Sequence, residues 1–225
     1  MRKLLIGLLL LFLCFTPSNA AIIMKAGTIA GESFIHTNGL ETQADGDDWA
    51  TVAGTPDYDY SAAPLVGLES LALDPTEEAK IGLTAADEVY ISLAVKWSDD
   101  LENAEICFSI RNVSDVLLAR FNFTDANAMK CLAGETGTLS DAGATSGIGE
   151  GTTSFIMLYY KKGTGANSEA RAWYWNGAAW VSEIASTDGD ATTQTSYINI
   201  DNNADTEILY IDQIKEKSTS VVDPT

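Results

Sequence analysis

The chain has 225 residues and a formal net charge of −19 at pH 7, with 13 Lys and Arg against 32 Asp and Glu. This excess of acid argues against nucleic acids and anionic membrane surfaces as partners, because both would be repelled. The length is sufficient for one sizeable hydrophobic core and, in an all-β protein, for a single domain. The charge permits cation binding, although solubility is the simpler explanation.

The first twenty residues have the pattern of a secretory signal peptide. Two basic residues precede an apolar run from Leu4 to Phe15, which is short for a membrane span, and small residues end at Ala20. We expect cleavage after Ala20 and a soluble mature chain that is secreted, periplasmic or at the cell surface. A lipoprotein modified at Cys14 is the alternative, and it is disfavoured because Leu13 is bulkier than the usual preceding residue.

The remainder of the chain reads as one domain with flanking segments. After the signal peptide (residues 1–20), residues 21–31 are predicted to form a loose arm or a first strand. Residues 32–215 form the predicted domain, and residues 216–225 form a polar tail that we expect to fray. We find no internal repeat and no second domain in the sequence.

Alternation of apolar and polar residues recurs through this domain. From Val89 to Trp97 the chain reads V-Y-I-S-L-A-V-K-W, so that every second side chain is apolar. A period of two predicts a strand with one buried face and one solvent face. Further strands are predicted at residues 68–73, 78–83, 106–110, 116–123, 128–132, 154–161, 170–175, 180–184, 195–200 and 207–214. The sequence therefore predicts an all-β, two-sheet antiparallel sandwich.

The connections between these strands are rich in turn residues. Residues 45–49 and 55–64 are predicted loops, and residues 134–151, with many Gly, Thr and Ser, are predicted to form a long surface loop. The dipeptide Asn176-Gly177 is the strongest hairpin signal, because both residues accept positive φ angles.

Two cysteines, Cys107 and Cys131, follow the signal peptide. An exported protein can join such a pair in a disulfide. The predicted strands at 106–110, 116–123 and 128–132, however, favour a meander in which one strand separates the two sulfurs. The Cα atoms would then lie about 10 Å apart, beyond the roughly 7 Å that a disulfide allows. This spacing favours two free thiols.

Motifs near both ends of the domain occur in a recognisable order. Residues 32–73 contain E-S-F, D-D-W, D-Y-D-Y and P-L-V-G-L-E-S-L-A-L, and residues 152–214 contain T-T-S-F-I-M-L-Y-Y-K-K-G-T-G-A-N, A-W-Y-W-N-G-A-A-W and I-L-Y-I-D-Q-I. This order resembles the concanavalin A-like lectin/glucanase superfamily, in particular its laminin G-like jelly-roll domains. The resemblance implies two curved antiparallel sheets packed face to face, often with calcium and with glycan or protein ligands. A galactose-binding-like jelly roll is a rival topology.

The resemblance also implies a candidate calcium site at Asp212. In similar jelly rolls an Asp in the final strand joins an acid near the start of the domain around a structural Ca²⁺, and Glu32 is the matching acid here. The alternative is an Asp212 on a solvated sheet face, bonded to Lys or backbone. Asp45 and Asp47, on either side of Gly46, are a second candidate pair, although turn-forming Asp beside Gly explains them more simply.

Aromatic residues are the candidate ligand-binding side chains. Tyr58 and Tyr60 lie beside acids in a predicted loop, where they suit a ligand. Trp173 and Trp175 share one face of a predicted strand, and Tyr174 lies on the other. Aromatic rings stack on the apolar faces of sugars, but core packing is the favoured explanation for the tryptophan pair.

The sequence gives little support for catalysis. His36 is the only histidine, and nothing near it suggests a nucleophilic or zinc site. Glucanases of similar fold place paired acids on one strand, in a pattern such as E-x-D-x-x-E, about 5–5.5 Å apart. No predicted strand has this pattern, so we expect that the protein is not an enzyme.

The hypothesis that follows is an exported, non-catalytic jelly-roll module that binds a carbohydrate or another surface ligand, such as a cell-surface or extracellular protein, with Ca²⁺ as a candidate cofactor. One alternative is a structural subunit of an extracellular layer, filament or virion decoration, in which residues 21–31 add a strand to a neighbouring copy. A polysaccharide hydrolase or lyase is a further alternative.

Overall fold

The computed structural model describes residues 33–34, 50–60, 62, 65, 70–97, 101, 105–123, 129–134, 140–141, 148–164, 167–186, 191–204 and 206–217. These residues belong to one compact unit, Glu32–Pro224. No helix within these ranges combines the length and the apolar character that crossing a bilayer requires. The predicted signal peptide and the predicted arm lie outside the described residues.

Fifteen strands account for most of the described residues. They are β1 (Ser33–Phe34), β2 (Ala50–Ala53), β3 (Asp57–Tyr60), β4 (Ser70–Leu73), β5 (Glu77–Gly82), β6 (Glu88–Trp97), β7 (Glu105–Arg111), β8 (Leu117–Phe123), β9 (Met129–Ala133), β10 (Ser140–Asp141), β11 (Ser154–Lys161), β12 (Glu169–Trp175), β13 (Trp180–Ser186), β14 (Tyr197–Asn203) and β15 (Leu209–Lys217). Strand β15 ends two residues beyond the predicted domain boundary at 215.

The strands form two antiparallel sheets. The eight-stranded sheet has the order β13-β12-β11-β6-β15-β4-β3, and β1 pairs with β15 beside β4; the seven-stranded sheet has the order β10-β9-β8-β7-β14-β5-β2. Neighbours such as β5 and β14 are far apart in the chain, so long crossovers build both sheets. The predicted two-sheet antiparallel sandwich is confirmed.

The hydrophobic core lies between the two sheets and is built from the inward-facing side chains of each. Its largest fully buried members include Trp97, Tyr160, Phe108, Phe121 and Phe123. The rings of Trp97 and Phe123 lie 5.2 Å apart, and those of Phe108 and Phe123 lie 5.8 Å apart, edge to face. Full burial of each such side chain stabilises the fold by about 1.5–3 kcal/mol.

Gly149 packs directly on Trp97. The Gly149 carbonyl accepts a hydrogen bond from the Trp97 amide at 2.8 Å, and the Gly151 amide donates to the Trp97 carbonyl at 3.0 Å. A Cβ atom at position 149 would lie 2.3 Å from the indole ring, and the φ angle of Gly149 is +77°. The predicted surface loop at 134–151 is therefore wrong at its end, where buried Ile148 and Gly149 close over the core.

A β-bulge interrupts β15. Asp212 pairs with Ala94 of β6, and Lys215 pairs with Ser92. Two residues of β15, Gln213 and Ile214, therefore lie opposite one residue of β6, Leu93. Gln213 takes a φ of +50°, and Ile214 turns into the core. Simple alternation places Ile214 on the same face as Asp212, and that interpretation is wrong because the inserted residue reverses the phase of the strand.

One predicted loop is a strand in the structure: Tyr58 and Tyr60 lie on strand β3.

The predicted hairpin of β12 and β13 is confirmed, with residues 176–179 as its connection. The Asn176 amide donates to the Ala179 carbonyl at 3.1 Å, and Asn176 Oδ1 accepts from the amides of the two residues at the end of the turn. Gly177, at φ +93°, supplies the left-handed conformation.

Both described cysteines are free of disulfides. Cys107 in β7 pairs with Asn122 of β8, and Cys131 in β9 pairs with Phe121 of β8, so β8 lies between them. Cys131 points into the core and is fully buried, whereas Cys107 lies on the opposite, outer face of the sheet. The predicted meander and the two unbridged thiols are confirmed.

Candidate functional site

Asp212, the predicted calcium ligand, is fully buried beside the β15 bulge. Its Oδ2 accepts a hydrogen bond from Ser70 Oγ at 3.2 Å, and its Oδ1 accepts from the Gln213 amide at 2.6 Å. Ser70 Oγ in turn accepts from the Leu65 amide at 2.8 Å. The carboxylate therefore links β15 to β4 and holds the bulge in its conformation. A solvated Asp212, the alternative suggested by the sequence, is excluded by this burial.

The described residues do not by themselves make up a calcium site. Calcium takes about six to eight oxygen ligands, and Asp212, whose two carboxylate oxygens each accept a hydrogen bond, could supply at most two of them. Within the described ranges, no group of three or more His, Cys, Asp or Glu side chains could hold a metal ion. Glu32, Asp45 and Asp47 lie outside the described residues, so a calcium ion there stays a prediction.

Trp173 and Trp175 lie on the outer face of the eight-stranded sheet. It is Tyr174, on the inner face of β12, that packs against the core. The Trp173 ring lies 6.1 Å from the Tyr159 ring, and the Trp175 ring lies 5.5 Å from the Trp180 ring, both edge to face. The favoured explanation, packing in the core, is therefore wrong for this pair, whose half-buried rings pack against other aromatic side chains outside it.

Tyr60 lies far from this tryptophan pair. Its ring lies 4.9 Å from that of Tyr210, and Lys96 Nζ lies 5.9 Å from the Tyr210 ring centroid. Strand β3 is an edge of the sheet, and β12 is five strands away, a separation of about 24 Å. The structure therefore does not bring the predicted aromatic ligands together. The side chain of Tyr58 lies outside the described residues.

A polar surface covers the outer face of the seven-stranded sheet, on the opposite side of the sandwich. We call it the polar face. It consists of outward-facing side chains of four adjacent strands, β5, β14, β7 and β8: Glu78, Lys80, Tyr197, Asn199, Asp201, Cys107, Ser109, Arg111, Arg120 and Asn122. These residues alternate with core residues along each strand, because successive side chains of a strand point to opposite faces.

The ladder register arranges the polar face in rows across the strands. One row consists of Lys80, Asn199, Ser109 and Arg120, and the next consists of Glu78, Asp201, Cys107 and Asn122. Directly opposed side chains in such rows have Cβ atoms about 4.5–5.5 Å apart. A ligand lying across the strands would therefore meet several polar groups at once.

Hydrogen bonds among these side chains hold them in place. Asn199 Nδ2 donates to Glu78 Oε1, and Arg120 Nε donates to Asn122 Oδ1 at 3.1 Å. Asn199 and Asn122 are buried, at 7% and 1% exposure, even though they face outward from the sheet. Side chains that are already ordered lose little further entropy when a ligand binds.

Tyr197 and Asp115 form one end of the polar face. The Tyr197 hydroxyl donates to Asp115 Oδ1, and Arg111 Nη1 donates to the Asp115 carbonyl at 2.9 Å. Burial, and then the hydrogen bond to Asp115, raise the pKa of Tyr197 to about 12, so the phenol remains a neutral donor. The same bond, together with the Arg111 charge, lowers the pKa of Asp115. Lys80 Nζ lies 5.1 Å from the Tyr197 ring centroid.

Two carboxylates meet in the second row. Glu78 and Asp201 are direct cross-strand partners on β5 and β14. Burial raises the pKa of Asp201, the nearby Glu78 charge raises it further, and Arg120 opposes both effects. Facing acids held in unequal environments are a feature of sites that transfer protons.

Two adjoining cavities open onto the polar face. One, of about 370 Å³, is lined by Val52, Glu78, Lys80, Arg111, Val113, Asp115, Tyr197 and Asn199. The other, of about 200 Å³, is lined by Glu78, Cys107, Ser109, Arg111, Arg120, Asn199, Asp201 and Asn203. They share Glu78, Arg111 and Asn199 and therefore form one continuous depression. A third cavity, of about 540 Å³, continues beyond Val113 among loops at the end of the sandwich.

Sequence reasoning missed the polar face. Alternation does show that Glu78 and Lys80 share a face, as do Asn199 and Asp201. Nothing local shows that β5 and β14 are neighbours, because more than a hundred residues separate them in the chain. The residue types gave a usable signal, because the solvent faces of these strands carry Asn, Asp, Glu and Lys, which are depleted in strands.

Comparison with known proteins identifies only the fold. No family model matches the chain, and no curated protein matches it. The chain is similar to a sialidase structure with a TM-score of 0.60 and 11% identity, over 84% of this chain but only 19% of the sialidase. It is similar to the Emp47p carbohydrate recognition domain, with a TM-score of 0.57 and 9% identity, over 86% of this chain and 100% of that domain.

A third similar structure is an endo-beta-1,4-glucuronan lyase from the fungus Trichoderma reesei. It has a TM-score of 0.54 and 10% identity, over 85% of this chain and 96% of the lyase. These neighbours have the concanavalin A-like jelly-roll fold, as the sequence motifs predicted. At such low identity the similarity extends to the fold and not to a shared activity.

Proposed function

We propose that this protein is exported and binds an oligosaccharide along the polar face without altering it chemically. The observation that carries the proposal is the set of ordered amide, carboxylate, guanidinium and phenol groups around adjoining cavities of about 370 and 200 Å³. Sugar hydroxyls both donate and accept hydrogen bonds, and a site that mixes such groups suits them.

The dimensions of the polar face suit a chain of sugars better than a single one. From Tyr197 to Asn203, β14 spans about 20 Å, and outward-facing residues along this length line the two cavities. The third cavity extends the path beyond Val113. An extended oligosaccharide can occupy this length and contact several rows of side chains.

The names of similar structures support a carbohydrate ligand. One is a carbohydrate recognition domain and another is a glucuronan lyase. A third, the VIP36 exoplasmic/lumenal domain, is described in a Ca²⁺/Man3GlcNAc-bound form, with a TM-score of 0.52 and 9% identity. The aromatic pair Trp173 and Trp175 is the weaker candidate, because each ring packs against a neighbouring aromatic ring.

Two matched arginine variants test the proposal. A glycan array identifies ligands of the wild-type chain, and calorimetry then compares Arg120→Ala with Arg171→Ala. Both variants remove one guanidinium, but Arg120 lines the cavity of about 200 Å³ and Arg171 is exposed on the other sheet. We expect at least about tenfold weaker binding, or about 1.4 kcal/mol, for the Arg120 variant only.

Two results contradict the proposal. One is the absence of any glycan ligand on the array. The other is the reverse order of the variants, in which Arg171→Ala weakens binding and Arg120→Ala does not. That result would place the binding site on the outer face of the eight-stranded sheet, where Trp173 and Trp175 lie.

The facing carboxylates favour a second candidate function, hydrolysis of the bound chain. One acid of such a pair must hold a proton while the other is ionised, and the raised pKa of Asp201 beside Glu78 suits this division. Release of reducing ends from a polysaccharide panel tests it. Activity that is lost in both Asp201→Asn and Glu78→Gln supports hydrolysis, and a panel without any release leaves binding as the function.

A structural calcium ion is a separate prediction. It rests on Asp212 together with Glu32, Asp45 and Asp47, of which the last three lie outside the described residues, and no step of the binding proposal uses it. Melting curves recorded with increasing calcium test it, because an ion that binds only the folded state raises the melting temperature.

A further inference from the structure

The chain contains two sequons, the Asn-x-Ser or Asn-x-Thr pattern that accepts an N-linked glycan. They are Asn112-Val113-Ser114 and Asn122-Phe123-Thr124. In an exported protein a glycosylated sequon lies on the surface, because the attached glycan is bulky and must project into solvent. The sugar is joined to Nδ2 of the Asn side chain. The burial and bonding of each Asn side chain therefore decide whether the fold can carry a glycan there.

Asn112 builds the turn between β7 and β8. Its Oδ1 accepts from the Ser114 amide at 2.8 Å and from the Val116 amide at 2.9 Å, as in an Asx turn. Its Nδ2 donates to Thr193 Oγ1 at 2.9 Å, and the residue is 5% exposed. A glycan on Nδ2 would therefore have to displace the segment around Thr193 from the turn.

Asn122 is closed to a glycan in a different way. It lies on β8 with a strand on either side, β7 and β9, and its side chain belongs to the polar face. It is 1% exposed even though it faces outward, and its Oδ1 accepts from Arg120 Nε at 3.1 Å. Attachment of a sugar to Nδ2 would therefore require the groups that bury Asn122 to move away.

We infer that an N-linked glycan at either sequon and the native fold exclude each other. The unfolded chain exposes both sequons, so an export route that attaches glycans can modify them before the sandwich forms. A modified chain cannot then bury Asn112 or Asn122 and does not reach the native state. The protein therefore matures by a route that leaves both side chains unmodified. This exclusion is a property of the fold and does not depend on the proposed ligand.

Secretion of the chain from a yeast, behind the host's own secretion signal, tests this exclusion. Mass spectrometry measures glycan occupancy after treatment with peptide N-glycosidase, which converts each glycosylated Asn to Asp. We expect that secreted chains with a cooperative unfolding transition carry no glycan at Asn112 or Asn122, and that glycosylated chains stay in the cell. Secreted, cooperatively folded chains with a glycan at either residue overturn the inference.

Ala178→Thr is the matched control, because it creates an open sequon with one substitution. Asn176, in the turn between β12 and β13, is exposed, and its bonds to the Ala178 and Ala179 amides are made by Oδ1 and not by Nδ2. We expect this variant to be secreted in the native state with a glycan at Asn176. It shows that the host modifies a sequon that the fold leaves open.

Two further variants, made in a host without N-glycosylation, separate the structural role of Asn112 from the sequon itself. Ser114→Ala and Asn112→Gln both abolish the sequon, but only Asn112→Gln removes the acceptor that holds the turn. Ser114→Ala should melt as the wild type does. Asn112→Gln should melt about 2–4 °C lower, the shift expected for the loss of one hydrogen bond in a domain of this size. Equal melting temperatures would show that Asn112 does not hold the turn, and the exclusion at this sequon would fail.

Discussion

Glu78 on β5 and Asp201 on β14 lie directly opposite each other, with both carboxylates on the polar face of the seven-stranded sheet. Their proximity, with the burial of Asp201, makes ionisation of Asp201 less favourable in the folded state than in the unfolded chain. This arrangement therefore reduces stability at neutral pH, and such a cost is common at functional sites.

This relationship predicts an opposite pH response for two Asp→Asn variants. The pKa of Asp201 is raised on folding, so its ionisation costs stability as the pH rises above the unfolded value of 3.8, and that cost persists at neutral pH. Asp201→Asn should therefore gain stability relative to wild type as the pH rises. The pKa of Asp115 is lowered on folding, so Asp115→Asn should lose stability relative to wild type as the pH rises toward 3.8 from below, a lower pH range than the one that Asp201 affects.

Urea unfolding at a series of pH values measures both differences. Asp115→Asn is the control for Asp201→Asn. Asn is tolerated at the φ of +66° that Asp115 adopts, so this substitution does not disturb the turn that contains residue 115. The expectation for Asp201 is contradicted if its variant and the wild type keep a constant difference in unfolding free energy from acid to neutral pH.

Glu216 allows a test of a buried carboxylate outside the site. It is 5% exposed, and its two carboxylate oxygens accept from the Thr84 amide at 2.9 and 3.2 Å. Glu216→Ala removes the charged acceptor of the Thr84 amide, and a hydrogen bond to a charged group contributes about 1.5–3 kcal/mol. Glu216→Gln keeps an acceptor for this amide. It also removes the ionised form of Glu216, which burial disfavours, as the raised pKa of the carboxyl shows. The stability of this variant should therefore stay within about 1 kcal/mol of wild type. Equal losses in the two variants, measured by chemical denaturation, would show that the hydrogen bond is unimportant.

Alanine variants at Gly149 and Gly151 distinguish the stability cost of a steric clash from the cost of backbone strain. Both have positive φ angles, +77° and +59°, but an added Cβ meets the Trp97 ring at Gly149 and open space at Gly151. Gly151→Ala should cost about 1–2 kcal/mol from the backbone conformation alone. Gly149→Ala adds overpacking of about 1–3 kcal/mol. Thermal and urea unfolding should rank Gly149→Ala as clearly the less stable variant, and the reverse rank would refute the close contact.

Asp212 is predicted to act as a hydrogen-bond acceptor and not as a calcium ligand. Asp212→Asn should lower stability by about 1 kcal/mol, and it should leave unchanged any rise in melting temperature that calcium produces. Ser70→Ala is the control, because it removes the partner of Asp212 Oδ2 without touching a predicted calcium ligand. A calcium-dependent rise that disappears only in Asp212→Asn would restore Asp212 to the metal site.

The sequence predicts the architecture well because alternation is a local signal. The run V-Y-I-S-L-A-V-K-W marks β6, and Trp97 at its end lies in the core. The unbridged cysteines also follow from local order, since three consecutive strands, β7 to β9, pair as a meander. Each of these inferences needs only the neighbouring part of the chain.

The failures have three physical causes. Alternation places Trp173 and Trp175 on one face of β12 and Tyr174 on the other, but it cannot say which face is turned toward the core. Ala170 and Ala172 share the inner face with Tyr174, and such small side chains do not mark a face as buried. The polar face depends on pairing between distant strands, which alternation does not encode. The bulge in β15 has no Gly or Asn at its left-handed residue, so its sequence carries no turn signal.

The placement of the cysteines on opposite sides of one sheet has a practical consequence. With β8 between them, and one sulfur in the core while the other is on the polar face, no covalent bridge can form within the native ladder. The sandwich therefore needs no oxidant to mature, and it should reach the same structure in a reducing expression host. Cys107 then becomes a natural attachment point for a fluorescent dye that reports occupancy of the neighbouring cavity.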